Sequence, residues 1–566
     1  MQKFSFSTLA GAVLAVGLLG SGAAAASGTP VANTVFFHPD GTGLNHWTAA
    51  RIYWKGPDGT LNWDRLGQMA AYRGHMSELL TGTSNGGATV HAFGYRVEGL
   101  GSFGKDGNGN ATPPTDRFIN ALSGYRGSLM REAANKGHPV GLVNDGNISE
   151  PGTAAFAAEV GNRDNWNAIA LQVIAGRDTA QPIQNSRDRP IHVILGGGER
   201  NFLPAGTPTC APASAGSTMQ QGVATFPLNC MVHTLDWSKP AAAGSGPLGI
   251  GRVATPDRAD GRNLLQEAAA AGYLVIRTRA EFAAVQSRLE RERNWQPRIL
   301  GLFAAHHTFN DRNEEDLIAN GFRDAAVDVN AKTSNLVLFG NPRAADPGFN
   351  PPRGNELMGM AMLVLARAAD QAAKPYFLVA EAESPDNFGN NNNAIGVLVS
   401  TQIADDMIGV VLRAQAARRA DLFGSRFPTT VLTAADSGAG GMQLASLPAP
   451  LEKVAELPLN PAAGLAAFTS PLDGLYGRAT QSFLAAPDKL GRRGSFGIVW
   501  AGSPDFAGGI LARASTAQRA PRERRAGLHL SDFSSRFDNT DVYRFLHASL
   551  FGGLLKPPTT AAPDRR

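Results

Sequence analysis

The sequence predicts an α/β sandwich with a large, mostly parallel sheet, and three observations support this fold class. Apolar runs of strand length alternate with helical patterns along most of the chain. Hydrophobic residues make up 43% of the 566 residues and charged residues 18%, as in globular proteins. The 65 glycines and 35 prolines indicate many connecting loops. Such a length suits one large domain with insertions or two domains.

Each predicted strand is a short apolar run, and amphipathic or apolar helical patterns separate the strands. Strands are predicted at 35–37, 140–143, 191–195, 273–276, 299–304, 376–380 and 429–433. Helices are predicted at 127–136, 263–271, 357–373 and 401–417. In open α/β sheets, functional side chains gather at the carboxyl ends of the strands. The segments that follow these strands are therefore where a site is expected.

The N-terminal residues 1–26 have the pattern of a signal peptide. Lys3 precedes an apolar stretch at 9–19, and Ala24-Ala25-Ala26 forms a small-residue cleavage site. This stretch is too short and too interrupted by glycine for a membrane anchor. We therefore expect a protein exported to the periplasm or the exterior, with no membrane partner.

Cysteine usage and charge narrow the class further. Cys210 and Cys230 are the two cysteines of the chain, and in an exported protein we expect them to form a disulfide. The net charge is +4, and the basic residues are scattered along the chain. This distribution gives no support for nucleic acid as a partner.

Acidic residues follow four of the strand-like runs. Asp40 comes after the first run and opens a glycine turn, and Asp436 comes after the run at 429–433. The segment 381–386 carries three acids, and Glu150 closes another such segment. Carboxylates that converge at one edge of a sheet must be neutralised, usually by divalent cations. The sequence therefore predicts a metal site.

Ser84 lies on a tight turn of small residues that leads into a predicted helix. This position would expose the serine oxygen at the positive end of the helix, where backbone N–H groups can receive an anion. A lone serine there would more simply be a helix N-cap. Together with the acids, it indicates metal-assisted chemistry on an anionic group.

These motifs resemble those of the alkaline phosphatase family from about residue 33 to residue 551. The matching segments are Asp40-Gly41-Thr42-Gly43, Ser84-Asn85-Gly86-Gly87-Ala88-Thr89, Leu195-Gly196-Gly197-Gly198 and Thr433-Ala434-Ala435-Asp436. The resemblance implies a three-layer α/β/α sandwich. One catalytic domain would occupy residues 27–556, with loop inserts near 204–260, 307–353 and 437–528 and a tail at 557–566. The resemblance is also compatible with a homodimer.

The resemblance also implies roles for individual residues. Ser84 would be the nucleophile of a phosphate monoesterase that forms a phosphoserine, and Arg163 and Asn85 would bind the phosphoryl group. The implied metal ligands are Asp40 and Asp436 at one position, Asp386 with Asn390 and His529 at a second, and Glu381 with Glu150 at a third. Zinc and magnesium are the implied cofactors.

The sequence departs from the family pattern at three imidazole ligands. Asn390 and Ser437 stand where the family has histidine, and the closing motif best matches Phe537–Asp541, with His529 as the nearest substitute. Zinc favours nitrogen ligands, whereas magnesium, calcium and manganese suit oxygen. We therefore expect oxygen-dominated sites, which leaves calcium or manganese open.

Three other histidines are assigned no metal. His38 is expected to be a buried or rim histidine, and His306 and His307 are expected to be solvated. Two alternative functions also stay open: a phosphodiesterase of the same superfamily, because neighbouring esters can use the same layout, and an inactive metal- or phosphate-binding protein.

Overall fold

The computed structural model describes residues 31–210, 218–220, 223–239, 251–313, 317, 338–340, 350–447, 472–473, 483–516, 528–533 and 536–565. The predicted signal peptide lies outside these residues. The apolar runs of the described chain form the centre of a large sheet, and helices cover both faces of that sheet. The predicted α/β/α sandwich is therefore confirmed.

Twenty strands are formed within the described residues. They are β1 Asn33–Pro39, β2 Gln68–Arg73, β3 Val140–Asn147, β4 Val193–Gly197, β5 Thr218–Gln220, β6 Val223–Thr225, β7 Leu235–Asp236, β8 Arg252–Val253, β9 Tyr273–Ile276, β10 Arg298–Leu302, β11 Phe377–Ala382, β12 Thr429–Thr433, β13 Gly438–Ala439, β14 Gln443–Leu447, β15 Leu472–Asp473, β16 Phe483–Leu484, β17 Ser495–Val499, β18 Asp505–Phe506, β19 Leu511–Thr516 and β20 Arg536–Asp538. Ten of them form the main sheet in the order β20-β2-β19-β12-β1-β11-β3-β4-β10-β9. All its pairings are parallel except those of β19 with β12 and β2.

Helices pack on the sheet through two separate hydrophobic cores. On one face lie Ser84–Phe93, Leu129–Asn135, Trp166–Ala175, Leu264–Ala270 and Asn539–Phe551, and on the other lie Leu44–Lys55, Arg279–Arg291, Gly354–Ala372 and Ala394–Ala416. The short helices Pro151–Ala154 and Ser384–Asn390 follow β3 and β11. Alternate residues of β1 explain the two cores, because Phe36 faces the first while Val35 and Phe37 face the second.

The helix Ala394–Ala416 is long and apolar enough to cross a membrane by length and composition alone. Most of its apolar stretch is buried inside the fold, where Met407 and Val411 pack against the central strands. The helix therefore has the surroundings of a core helix.

The structure shows what two of the predicted inserts contain. The segment 437–528, expected as a surface loop or lid, contributes β19 to the main sheet. In the segment 204–260, Cys210 and Cys230 form the predicted disulfide. Near the C-terminus, Arg565 pairs with Glu159, which ties the end of the described chain to the body of the domain.

Candidate active site

Three adjacent parallel strands bring their carboxyl ends together at one edge of the sheet. β1 lies between β11 and β12, and the register places His38 opposite Glu381 and Phe37 opposite Thr433. Asp40 directly follows β1, and Asp436 lies three residues beyond β12. Acids from distant parts of the sequence therefore meet at one place.

The first group of candidate metal ligands is His38, Asp40 and Asp436. One ligand atom from each lies within 4.8 Å of the other two, and all three residues are buried. His38 Nε2 lies 3.1 Å from Asp40 Oδ1 and 4.0 Å from Asp436 Oδ1. Its Nδ1 lies 3.0 Å from the carbonyl oxygen of Ala434, which can only accept a hydrogen bond. In the neutral imidazole the proton is therefore on Nδ1, and Nε2 presents its lone pair to the acids.

Three of the four carboxylate oxygens in this group have no hydrogen-bond donor among the described residues. Within the described part of the chain, Asp40 Oδ2 and both oxygens of Asp436 have no hydrogen-bond partner. Burial raises the pKa of Asp436 well above its ordinary value, and the charge of Asp40 raises it further. Burial would lower the pKa of His38, but its hydrogen bond to Asp40 and the surrounding acids raise it to about 10. Buried unpaired carboxylates are costly, so this group fits a divalent cation.

A second group is formed by Asp40, Glu381 and Glu383, again with one ligand atom each within 4.8 Å. Glu381 is held firmly, since it accepts hydrogen bonds from Asn144 Nδ2 at 2.6 Å and from Thr153 N at 2.8 Å. Glu383 Oε2, in contrast, is buried and has no partner among the described residues. Burial, with the charge of Asp40, raises the pKa of Glu381 to about 7.

Asp386 and Asn390 lie together on the helix that follows β11. Asn390 Nδ2 is 3.1 Å from each carboxylate oxygen of Asp386. Asp386 also lies against Gly41, where a side-chain carbon would collide with it, so the glycine after Asp40 makes room for this acid. Burial raises the pKa of Asp386 well above its ordinary value, and the charges of Asp505, Asp40 and Asp436 add to this effect.

Arg163 supplies positive charge at the rim of the site. Its Nη2 lies 3.5 Å from Glu150 Oε2, and its side chain is 36% exposed. Glu150 also lies 3.5 Å from His307 Nε2. Burial raises the pKa of Glu150 to about 8 against the opposing charge of Arg163. The long, loose contact leaves the guanidinium able to bind an incoming anion.

Ser84 is the first residue of the helix Ser84–Phe93, and Thr83 caps that helix by accepting a hydrogen bond from Gly86 N. The turn packs directly against Asp436, because a Cβ added at Gly87 would lie 2.7 Å from Asp436 Cβ. Ser84 is 6% exposed. Ser84 therefore lies at the positive end of a helix whose first turn packs against an acid of the first group.

The structure leaves some predicted residues away from the acids. Asn85 Nδ2 donates to the carbonyl oxygens of Gly99 at 3.0 Å and Ser102 at 2.7 Å, which ties the helix to the following loop. His529 precedes the short helix Leu530–Asp532, which contacts Gln68 of β2. In the described residues no contact joins His529 to Asp386.

Sequence reasoning did not assign three residues to the metal site that the structure places at or beside the acids: His38, Glu383 and Asp505. His38 lies near the end of β1 and Asp40 directly follows that strand, so their spacing of two positions suggests that their side chains share a face, and this signal was available. The expectation that His306 and His307 are solvated was wrong. Both are 5% exposed, and His306 Nδ1 contacts Asn147 Nδ2 at 2.6 Å.

The fold and the site define a class of protein: an α/β/α sandwich with candidate metal ligands at the carboxyl ends of its central strands and a serine on an adjoining helix. Comparisons with known proteins agree. Residues 31–224 match the family model described as alkaline phosphatase. The tissue-nonspecific alkaline phosphatase isozyme of Gallus gallus is 28% identical over 186 residues, which cover 31% of this chain. The match spans 34% of the length of that relative.

Solved structures share the fold over nearly the whole chain. Alkaline phosphatase from the Antarctic bacterium TAB5 matches with a TM-score of 0.51 at 14% identity, covering 92% of this chain and 98% of that one. Alkaline phosphatase from Thermus thermophilus matches with a TM-score of 0.53 at 16% identity, covering 92% of each chain. A mutant of the TAB5 enzyme was solved with Mg bound in its M3 site. The chain is therefore similar to alkaline phosphatases in fold, and its residues 31–224 also match their family model.

Proposed function

We propose that the protein is an exported, metal-dependent phosphatase that hydrolyses phosphate monoesters through a phosphoserine at Ser84. The observation that carries this proposal is the packing of the Ser84 turn against Asp436, whose two oxygens lack partners among the described residues. A hydroxyl beside a cation-binding carboxylate, at the N-terminus of a helix, is suited to attack an anionic ester.

The donor set fits divalent cations at two or three positions. His38, Asp40 and Asp436 would hold one, Asp386 a second, and Glu381 with Glu383 and Glu150 a third. Cations there lower the pKa of a neighbouring hydroxyl and stabilise the charge on a leaving oxygen. Because His38 supplies a nitrogen, the first position suits zinc, whereas the others consist of oxygen and suit magnesium, manganese or calcium.

The chain's own residues bind and displace the phosphoryl group. Arg163 donates two parallel hydrogen bonds to non-bridging oxygens, which fixes the phosphorus in front of Ser84. Ser84 Oγ loses its proton to solvent and bonds to phosphorus while the ester P–O bond breaks, and the alcohol leaves with a proton from water. A water molecule then attacks the phosphoserine, which restores the hydroxyl and releases inorganic phosphate.

Trapping the phosphoserine tests this proposal. We expect acid quench during turnover of a chromogenic phosphate monoester to leave phosphate on Ser84, detected by peptide mass spectrometry. Ser84→Ala should abolish both label and turnover, whereas Ser77→Ala, at an exposed serine, should keep both. Full turnover by Ser84→Ala would overturn the mechanism. Absence of turnover with every added cation would leave the inactive binding protein.

Arg163→Ala tests whether Arg163 binds the phosphoryl group. The variant should lower kcat/KM for the monoester on the order of 100-fold, because the transition state loses a hydrogen-bond donor to its developing charge. Arg126→Ala, at an exposed arginine, is the control.

A diester with the same leaving group should turn over more slowly than the monoester. The reverse order would favour the phosphodiesterase.

Export has separate support. The Cys210–Cys230 disulfide is typical of proteins outside the reducing cytosol. We expect N-terminal sequencing of the protein recovered from the periplasm or medium to begin just after Ala26. Recovery of the intact N-terminus from the cytosol alone would contradict export.

A further inference from the structure

Asp505 reaches the site from a part of the chain that the sequence pattern did not connect with it. It begins β18, which pairs antiparallel with β13, and the register places Asp505 opposite Ala439. Since β13 follows Asp436 and Ser437 directly, this pairing holds Asp505 beside the carboxyl end of β12. Asp505 Oδ1 lies 3.2 Å from Asn390 Nδ2.

The amide of Asn390 thereby faces two carboxylates at once. Its Nδ2 lies 3.1 Å from both oxygens of Asp386 as well as 3.2 Å from Asp505 Oδ1. Its own Oδ1 accepts a hydrogen bond from Gly440 N at 3.2 Å, which fixes the orientation of the amide. Two amide hydrogens cannot neutralise two carboxylates, so the pair retains negative charge that needs a cation.

A second observation points to a ligand at this place. Ser437 is 1% exposed, and its Oγ makes no hydrogen bond of good geometry within the described ranges, although it lies close enough to Asp505 to lower the pKa of that carboxyl. A buried hydroxyl without a partner is costly. Its position next to Asp436 and beside the strand pair of Asp505 allows its oxygen to complete the coordination of an ion.

We propose that Asp505 is a ligand of the second cation position, together with Asp386 and the hydroxyl of Ser437, and that Asn390 is a positioning residue. The proposal deepens the proposed function by completing one of its metal positions. Asp505 takes the place that the sequence comparison gave to His529. The position then consists of oxygen alone and prefers Mn²⁺ or Mg²⁺ to Zn²⁺.

Calorimetric titration of the chelator-treated full chain with Mn²⁺ alone tests the proposal without substrate. The wild type should bind one more equivalent than Asp505→Asn, or bind it at least about tenfold more tightly. Asp386→Asn should lose the same equivalent. Asp406 is an exposed carboxylate that accepts a hydrogen bond from Gln402, so Asp406→Asn serves as the control and should bind Mn²⁺ as the wild type does. Asn390→Ala should keep the number of equivalents and weaken the affinity.

A ligand is distinguished from a merely structural residue by Asp505→His. This variant should keep the equivalent and shift its preference from Mn²⁺ toward Zn²⁺, because imidazole nitrogen suits zinc. If Asp505→Asn binds Mn²⁺ with the stoichiometry and affinity of the wild type, the proposal is overturned. It is also overturned if Asp386→Asn binds as many equivalents as the wild type. If cations bind as expected but no phosphoserine forms, the proposed function fails while this assignment stands.

Discussion

His38 predicts a strong pH dependence of metal affinity at the first position. Its Nε2 is the atom that faces Asp40 and Asp436, and without a cation that nitrogen carries a proton, since the pKa of His38 is raised to about 10. A cation bound by Nε2 must displace this proton, so binding releases it. The affinity should therefore rise with pH until His38 is neutral.

The magnitude follows from the pKa. Between pH 7 and the pKa of about 10 lie about three pH units, each worth about 1.4 kcal/mol, so holding the proton weakens binding at pH 7 by about 4 kcal/mol, or about a thousandfold. His38→Gln removes the competing proton along with the ligand. At pH 9 the variant should therefore bind the cation more weakly than the wild type does. Its affinity should also lack the tenfold rise per pH unit that loss of the His38 proton gives the wild type.

The assay is calorimetric titration with Zn²⁺ at pH 7, 8 and 9, in buffers of different ionisation enthalpy, which counts the protons released. The wild type should release one proton more than His38→Gln. His138→Gln is the matched control, because burial lowers the pKa of His138 and that ring carries no proton to displace at these pH values. Equal proton release by wild type and His38→Gln would refute the assignment of Nε2 as a ligand.

Three further predictions concern the frame of the site. Arg277→Met should destabilise the fold by about 3–5 kcal/mol in urea unfolding, because it breaks a buried ion pair with Glu199. Arg279→Met, which breaks a half-exposed pair, should cost about 1 kcal/mol or less, and equal losses would contradict the burial argument. Gly87→Ala should lower metal content, activity and the unfolding temperature, since the added carbon would lie 2.7 Å from the buried Cβ of Asp436; an unchanged metal content would contradict this. Chelator-treated protein should lose stability as the pH rises from 4.5 to about 8, because Glu381 and Glu150 have pKa values raised to about 7 and about 8 in the fold and bind more protons there than when unfolded. Added Mg²⁺ should restore the unfolding temperature at pH 8, and a pH-independent melting curve without metal would refute the assigned shifts.

The parallel core could be predicted from the sequence because most of its strands contain a short run of apolar or β-branched residues. The predicted runs at 273–276 and 429–433 coincide with β9 and β12. The antiparallel β19 could not, since its residues alternate between small and polar types and its place depends on pairing with β12. Local pattern carries no information about such a distant partner.

The candidate site shows the same division. Asp40, Asp386 and Asp436 directly follow strand or helix signals, and they do meet in the structure. Asp505 lies in a glycine- and proline-rich stretch with no periodicity, so only the pairing of β18 with β13 reveals its position. The order of motifs along the chain indicated His529 in place of the missing imidazole. That order does not show which segments the pairing of strands brings together.

The central position of β1 has a consequence for the order in which the protein can fold. β1 leaves the ribosome early, yet both of its sheet neighbours come far later: 343 positions separate Asn33 from Tyr376, which precedes β11. Until then, both edges of a strand with the apolar centre Val35-Phe36-Phe37 lack their native partners and can pair with other chains. His38 and Asp40 likewise have no native metal site before Asp436 has been synthesised. The proposed first metal position can therefore form only after the chain has been made as far as Asp436, so metal cannot bind there while the earlier segments are being synthesised.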